Sequence, residues 1–134
     1  MPATKREEFS VAGMAPPISH YCDSVRFGDL LFISGIVGVD DKGRVVGEGD
    51  AARQTRQLFA NMKKVLDAAG ASFADVLKVT VFLTNIDDRA RINPVRQEFF
   101  GAARPASTLV EVSKLVRPDL LVEIEAVVGL PQRG

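Results

Sequence analysis

Residues 104–128, RPASTLVEVSKLVRPDLLVEIEAVV, constrain the fold more than any other part of the chain, because they contain two stretches that alternate in polarity. Side chains alternate with period two along a strand. In the first stretch Thr108, Val110 and Val112 therefore share one side, and Ser107, Leu109, Glu111 and Ser113 the other. In the second, Leu120, Val122, Ile124, Ala126 and Val128 form an unbroken apolar side, opposed by Leu121, Glu123, Glu125 and Val127. Such strands need an apolar layer on at least one face. A carboxylate flanked by apolar neighbours marks either a solvated edge or part of a site.

The remaining elements follow from local signals. Residues 1–17 hold Pro2, Gly13, Pro16 and Pro17 without a sustained period and read as an extended lead-in, with a short edge strand near 9–12. Residues 20–26 and 30–37 read as strands joined by a turn at Phe27-Gly28-Asp29, and a brief third strand is expected at 44–46. Asp50 is a natural helix N-cap. Behind it Ala51, Thr55, Leu58, Met62, Val65, Leu66 and Ala69 fall on one helical stripe that Gly70 ends. Residues 76–83 return to strand, with Leu77, Val79, Val81 and Leu83 expected on one face. A second helix lies within 87–100, where Pro94 suits a first helical position and makes Asn93 the expected cap.

This order predicts a single α+β domain over residues 1–134, with two helices on one face of one sheet. Helices cover one face only, yet the second face is mixed rather than cleanly polar. The economical expectation is that the sheet packs against copies of itself, with Ser107, Glu111, Glu123 and Glu125 near the boundary. Seventeen basic against seventeen acidic residues give no net charge, which speaks against nucleic acid or an anionic membrane as partner. The lone Cys22 cannot form an internal disulfide, and no apolar run nears the ~20 residues that span a bilayer. A cytoplasmic location is expected.

No GxGxxG, GxxxxGK[ST], HExxH or GxSxG motif occurs. His20 is the only histidine, and nothing in the sequence marks a catalytic partner for it. Glu123 is the acid best placed for proton transfer, since partial burial in an apolar strand raises a carboxyl pKa; the alternative is that the strand glutamates pair with Lys or Arg on a wet face. Tyr21 is either a substrate-orienting phenol or a core tyrosine. Ser34-Gly35 is either a close-approach point for a ligand or a sheet bulge. Asn93 is a helix cap first and a substrate contact second, and Arg104 either meets an anion or is solvated.

The segments SHYCDSVRFGDLLFISGIVGVDDKGRVV, LDAAGASFADVLKVTVFLTNIDD, INPVRQEFFGAARPASTLVEVSKL and LLVEIEAVV, in order over 18–128, resemble the Rid family, also called the YjgF or reactive intermediate deaminase family. The resemblance implies a chorismate-mutase-like α+β fold, assembled as a homotrimer around a central barrel, with ligand clefts between subunits. It implies hydrolysis of reactive enamines and imines to a carbonyl compound and ammonia, without metal or cofactor. Tyr21, Ser34, Gly35 and Asn93 fall on the family's substrate-binding positions, and Glu123 on the glutamate that positions water. Where deaminating members carry a carboxylate-binding arginine, this chain has Ser107, followed by Thr108. Serine cannot replace a bidentate cation. Three expectations stay open: a substrate without a carboxylate there, a cation from elsewhere such as Arg104, or a non-catalytic binding trimer. A ribonuclease role, attached to some relatives, fits the neutral charge poorly.

Overall fold

The apolar side of the last alternating stretch becomes the middle of a sheet. In the computed structural model, which describes residues 5–131, strand β6 (Val122–Gly129) lies between β3 (Leu30–Val37) and β4 (Val76–Leu83), antiparallel to both. Outside β3 follow β2 (Ser24–Phe27) and the edge strand β1 (Glu7–Phe9); outside β4 lies β5 (Ala106–Glu111), paired in parallel. The mixed sheet has the order β1-β2-β3-β6-β4-β5. The edge strand near the N-terminus is thus Glu7–Phe9 rather than 9–12, and residues 44–46 supply only an isolated Val39–Val45 bridge.

Helix α1 (Ala51–Ala68) begins where Asp50 caps it, its carboxylate accepting from the Arg53 amide at 3.1 Å. It ends before Gly70, whose φ of 72° suits a residue without a Cβ. Leu58, Phe59, Met62, Val65 and Leu66 of α1 pack on Leu31, Ile33, Ile36, Val79, Val81, Ile124 and Val128 of the sheet. Each such side chain contributes about 1.5–3 kcal/mol on full burial. Helix α2 (Arg89–Phe100) adds Ile92, Val95 and Phe100 to the same core.

Three further local predictions change in the structure. Pro94 sits inside α2, and Asn93 is an exposed helical residue rather than the cap. The helix starts earlier because a 3-10 turn at Ile86–Asp88, closed by the Asn85 side chain on the Asp87 amide, feeds directly into it. An interior proline costs about 3 kcal/mol; burial of Ile92, Val95 and Phe100 offsets it. In β4 a register shift between Val76 and Lys78 buries Val76 and turns Leu77 outward, 52% exposed.

The third change concerns faces. Parallel pairing sets Ser107, Leu109 and Glu111 opposite Val79, Val81 and Leu83, so these three share the helix side at the sheet's edge. They do not join Glu123 and Glu125, which pair with Phe82 and Thr80 on the other side. That other side holds Leu30, Phe32, Phe82, Val110 and Val127, with Phe32 46% exposed. It has no helix over it.

Candidate functional site

Glu123 enters β6 opposite the one place where the β3 ladder breaks. The β3–β6 register shifts between Ile33 and Ile36, so Ser34-Gly35 bulges out of regular pairing. The bulge is what makes the site. A Cβ at Gly35 would collide with the Glu123 carboxylate, 2.8 Å from its Cδ, so glycine alone leaves that group its position. Ser34 is fixed by two bonds: its amide donates to the Asp23 carbonyl at 3.0 Å, and its Oγ donates to the Cys22 carbonyl at 2.6 Å.

Those bonds tie β3 to the segment that carries Tyr21. The buried Asp23 carboxylate accepts from the Val11 amide at 2.7 Å and draws the N-terminal segment in. Met14, Pro16 and Ile18 of that segment line the same cavity as Glu123. The Tyr21 hydroxyl accepts from the Ile18 amide at 3.4 Å. Tyr21, Ser34, Gly35 and Glu123 all line one cavity of about 420 Å³, within the size range of small-molecule sites.

Burial raises the Glu123 carboxyl above its ordinary pKa, and the like charge of Glu125 raises it further. Among the described residues no donor engages its carboxylate, so the group is available to water or a ligand. Among those residues, too, no three His, Cys, Asp or Glu side chains converge as a metal ion would require.

The other expected site residues lie elsewhere. Asn93 and Arg104 do not line the cavity, and Asn93 is exposed on α2. Thr108 accepts from the Lys78 ammonium at 2.6 Å. Ser107 Oγ accepts from Arg96 Nη2 at 2.9 Å. Arg96 is half-buried, and burial lowers its pKa; three positions from Asn93, it shares that residue's side of α2. A guanidinium therefore does stand beside Ser107, although it comes from the helix. His20 is exposed and lines no part of the cavity.

Three cavity residues escape the sequence reading. Asn61 of α1 is buried, and its amide nitrogen donates to the Val37 and Val39 carbonyls at 3.2 and 2.8 Å, holding the end of β3. Lys42 and Arg117, on two separate loops, also line the cavity. Arg117 donates to the Gly43 carbonyl and pairs with Asp119 at 2.8 Å, joining those loops. Behind them the fully buried Gln54 donates to the Gly47 and Asp119 carbonyls and accepts from the Leu121 amide. The dipeptide Arg117-Pro118 before β6 is the only local hint, and it looks like an ordinary solvated turn.

Comparison with known proteins follows the same lines. Residues 12–129 match the family model described as Endoribonuclease L-PSP. A RutC family protein of Pyrococcus horikoshii is 45% identical over 83% of this chain and 87% of its own. The 3-aminoacrylate deaminase RutC of Acinetobacter baylyi is 39% identical, and a 2-iminobutanoate/2-iminopropanoate deaminase of Dermatophagoides farinae 37%, each over 86% of this chain and 90% of its own. The solved structure of the Rid family protein YyfA from Yersinia pestis superposes with a TM-score of 0.88 at 31% identity, over 94% of this chain and 100% of that one. By this match along residues 12–129 and the shared α+β fold, the chain belongs to the L-PSP family, also known as the YjgF or Rid family.

Proposed function

We propose that this chain is a hydrolytic deaminase of reactive enamines and imines, working without a cofactor in clefts between three copies of itself. One observation carries the reading: Tyr21, Ser34, Gly35 and Glu123, far apart in sequence, line a single cavity whose carboxyl is raised by burial. Two relatives named as deaminases of this substrate class support it.

The chemistry asks little of the protein. An imine carbon is already electrophilic, so Glu123 takes a proton from a bound water as the oxygen attacks that carbon, and returns it to the nitrogen. The carbon–nitrogen bond then breaks as the second proton of the water passes to the departing nitrogen. One imine and one water thus give one carbonyl compound and one ammonia, with no change of oxidation state. General acid–base action of this kind contributes about 10²–10⁴-fold, and fixing the water and substrate adds to it. Tyr21 and Ser34 orient the substrate against Glu123.

Assembly enters because four of the residues that the family resemblance points to lie outside the cavity of one chain. Asn93, Arg104, Ser107 and Thr108 lie outside it, around the β5 edge. A neighbouring copy packing on the bare face of Phe32, Phe82 and Val127 brings that edge to the cleft. A homotrimer closed as a central barrel meets this requirement. Neutral net charge, the lone Cys22 and the lack of any helix long and apolar enough to cross a membrane, among the described residues, agree with action in the cytoplasm on a free small molecule. Nucleic acid is the weaker partner despite the family model's description.

Ser107 separates this chain from deaminases with an arginine there, and the substrate is accordingly not their usual small 2-imino acid. The same residue favours the second reading, a trimer that binds a small metabolite without turning it over. Ammonia release above the spontaneous rate, from enamines generated in situ with and without carboxylates, decides between them. Acceleration that Glu123→Gln abolishes, in an assembly that still sediments as a trimer, supports the deaminase. No acceleration by the folded trimer across the panel overturns it, and a monomer at micromolar concentration overturns the cleft.

A further inference from the structure

We infer that Lys42 and Arg117 form an anion-binding end to the Glu123 cavity, so that its ligand carries a carboxylate separated from the reacting group by an apolar stretch. The inference deepens the deaminase reading, and rests on it only for the identity of the reacting group.

The cavity's polar groups are spread along the direction of β3: Glu123 pairs with Val37, and Lys42 lies five residues beyond Val37, in the turn that the Val39–Val45 bridge closes. The bulge of β3 presents Ser34 and Gly35 to Glu123. Beyond the end of β3 and before the start of β6, the 40–44 turn and the 113–121 loop supply Lys42 and Arg117. Apolar side chains make up much of the remaining lining, with Pro16, Ile18, Val116 and Leu120 among them. Ile18 and Val116 are 66% and 62% exposed at the mouth, where apolar surface is poorly used unless something covers it.

The cationic end is built rather than incidental. Arg117 is held by the Gly43 carbonyl and by Asp119 at 2.8 Å, which fixes its guanidinium in place. Of five guanidinium N–H donors these bonds engage two, leaving the others for a ligand. Asp119 offsets part of the Arg117 charge, but Lys42 has no such counterion: among the described residues its ammonium has no hydrogen-bond or salt-bridge partner, while its backbone amide is pinned to Asp40 at 2.9 Å. Glu123, back along β3 from the Lys42 turn, repels an anion placed beside it. A carboxylate-bearing ligand therefore enters in one orientation, anion toward the loops and reactive carbon toward Glu123. The substrate class that fits is an enamine or imine of an extended carboxylic acid.

Calorimetric titration of the intact assembly with hexanoate and hexanamide, unreactive probes differing only in the anionic group, tests this apart from any turnover. Hexanoate is expected to bind about 10- to 100-fold tighter, the factor a charge-assisted hydrogen bond contributes. Lys42→Gln should cut that preference several-fold, and Lys42→Gln with Arg117→Gln should erase it while hexanamide affinity stays unchanged. Glu123→Gln, which removes a like charge from the cavity, should keep or enlarge it. Equal binding of the two probes, or a preference that survives the double variant, overturns the inference. Because Arg117 also joins two loops, Lys42→Gln, which removes no described side-chain bond, stands as the arm that cannot fail through misfolding; an unchanged preference there removes Lys42. Ammonia release plays no part in these outcomes, so a failed deaminase assay leaves them standing.

Discussion

Gly35 and Glu123 face each other across the β3–β6 pair with no room for a methyl group between them. The carboxylate occupies the volume that any other side chain at position 35 would claim. Gly35→Ala is expected to push the carboxylate aside and lower the rate of imine hydrolysis by about 10²-fold, as misplacements of about 1 Å do, while the sheet and its assembly persist. Steady-state ammonia release alongside a thermal melt checks this. A fully active Gly35→Ala variant would show that Glu123 has freedom the packing denies it.

The pH dependence follows from the same carboxyl. Its pKa is raised by burial first and by Glu125 second. With ionised Glu123 as the base, the rate falls as pH drops through that raised value, above the ordinary carboxylate range. Glu125→Gln removes the like charge, so this limb should move to lower pH. Stability has the opposite sense: a carboxyl with a raised folded pKa contributes stability that is complete below its unfolded pKa and is lost as pH rises through the folded one. Glu123→Gln should flatten the stability curve over that window. Urea midpoints against pH would read this, and identical slopes in the two proteins would refute it.

Ser107 and Arg96 make a coupled pair. Ser107→Arg is expected to bring activity toward simple 2-imino acids, but the new guanidinium would lie beside that of Arg96, now 2.9 Å from the serine oxygen. Like charges there oppose each other, so Ser107→Arg with Arg96→Gln should outperform Ser107→Arg alone. Comparing kcat/KM of the three proteins on a short imino acid checks the order. Inert variants would mean that the cleft differs in more than this pair.

Where a signal is local, the sequence is readable. Helix α1 carries its own cap at Asp50, its own stripe and its own stop at Gly70. The apolar side of β6, Leu120 through Val128, is buried as alternation requires. Legibility fails where geometry depends on a strand's partner. The shift at Val76 and Lys78 reverses one end of β4, and parallel pairing with β4 decides which side Ser107 takes. Neither is encoded in the residues it displaces. Asn93 defies the proline rule about helix starts because that rule yields to burial of Ile92 and Val95 on either side of it. Among the cavity's lining residues, Tyr21, Ser34, Gly35 and Glu123 are singled out by their sequence setting and the family resemblance, whereas Arg117 and Lys42 sit on loops that meet through the Arg117–Gly43 bond, with Gln54 behind them, a glutamine no pattern singles out.

That glutamine has a further consequence. One amide, rooted in a helix well behind the sheet, grips the chain both before α1 and before β6. The chain that follows the Lys42 turn, at Gly47, and the loop with Arg117, at Asp119 and Leu121, are thus tied to one side chain. A substitution at the tip of either loop can therefore change what the cavity admits while the bulge beside Glu123 stays untouched.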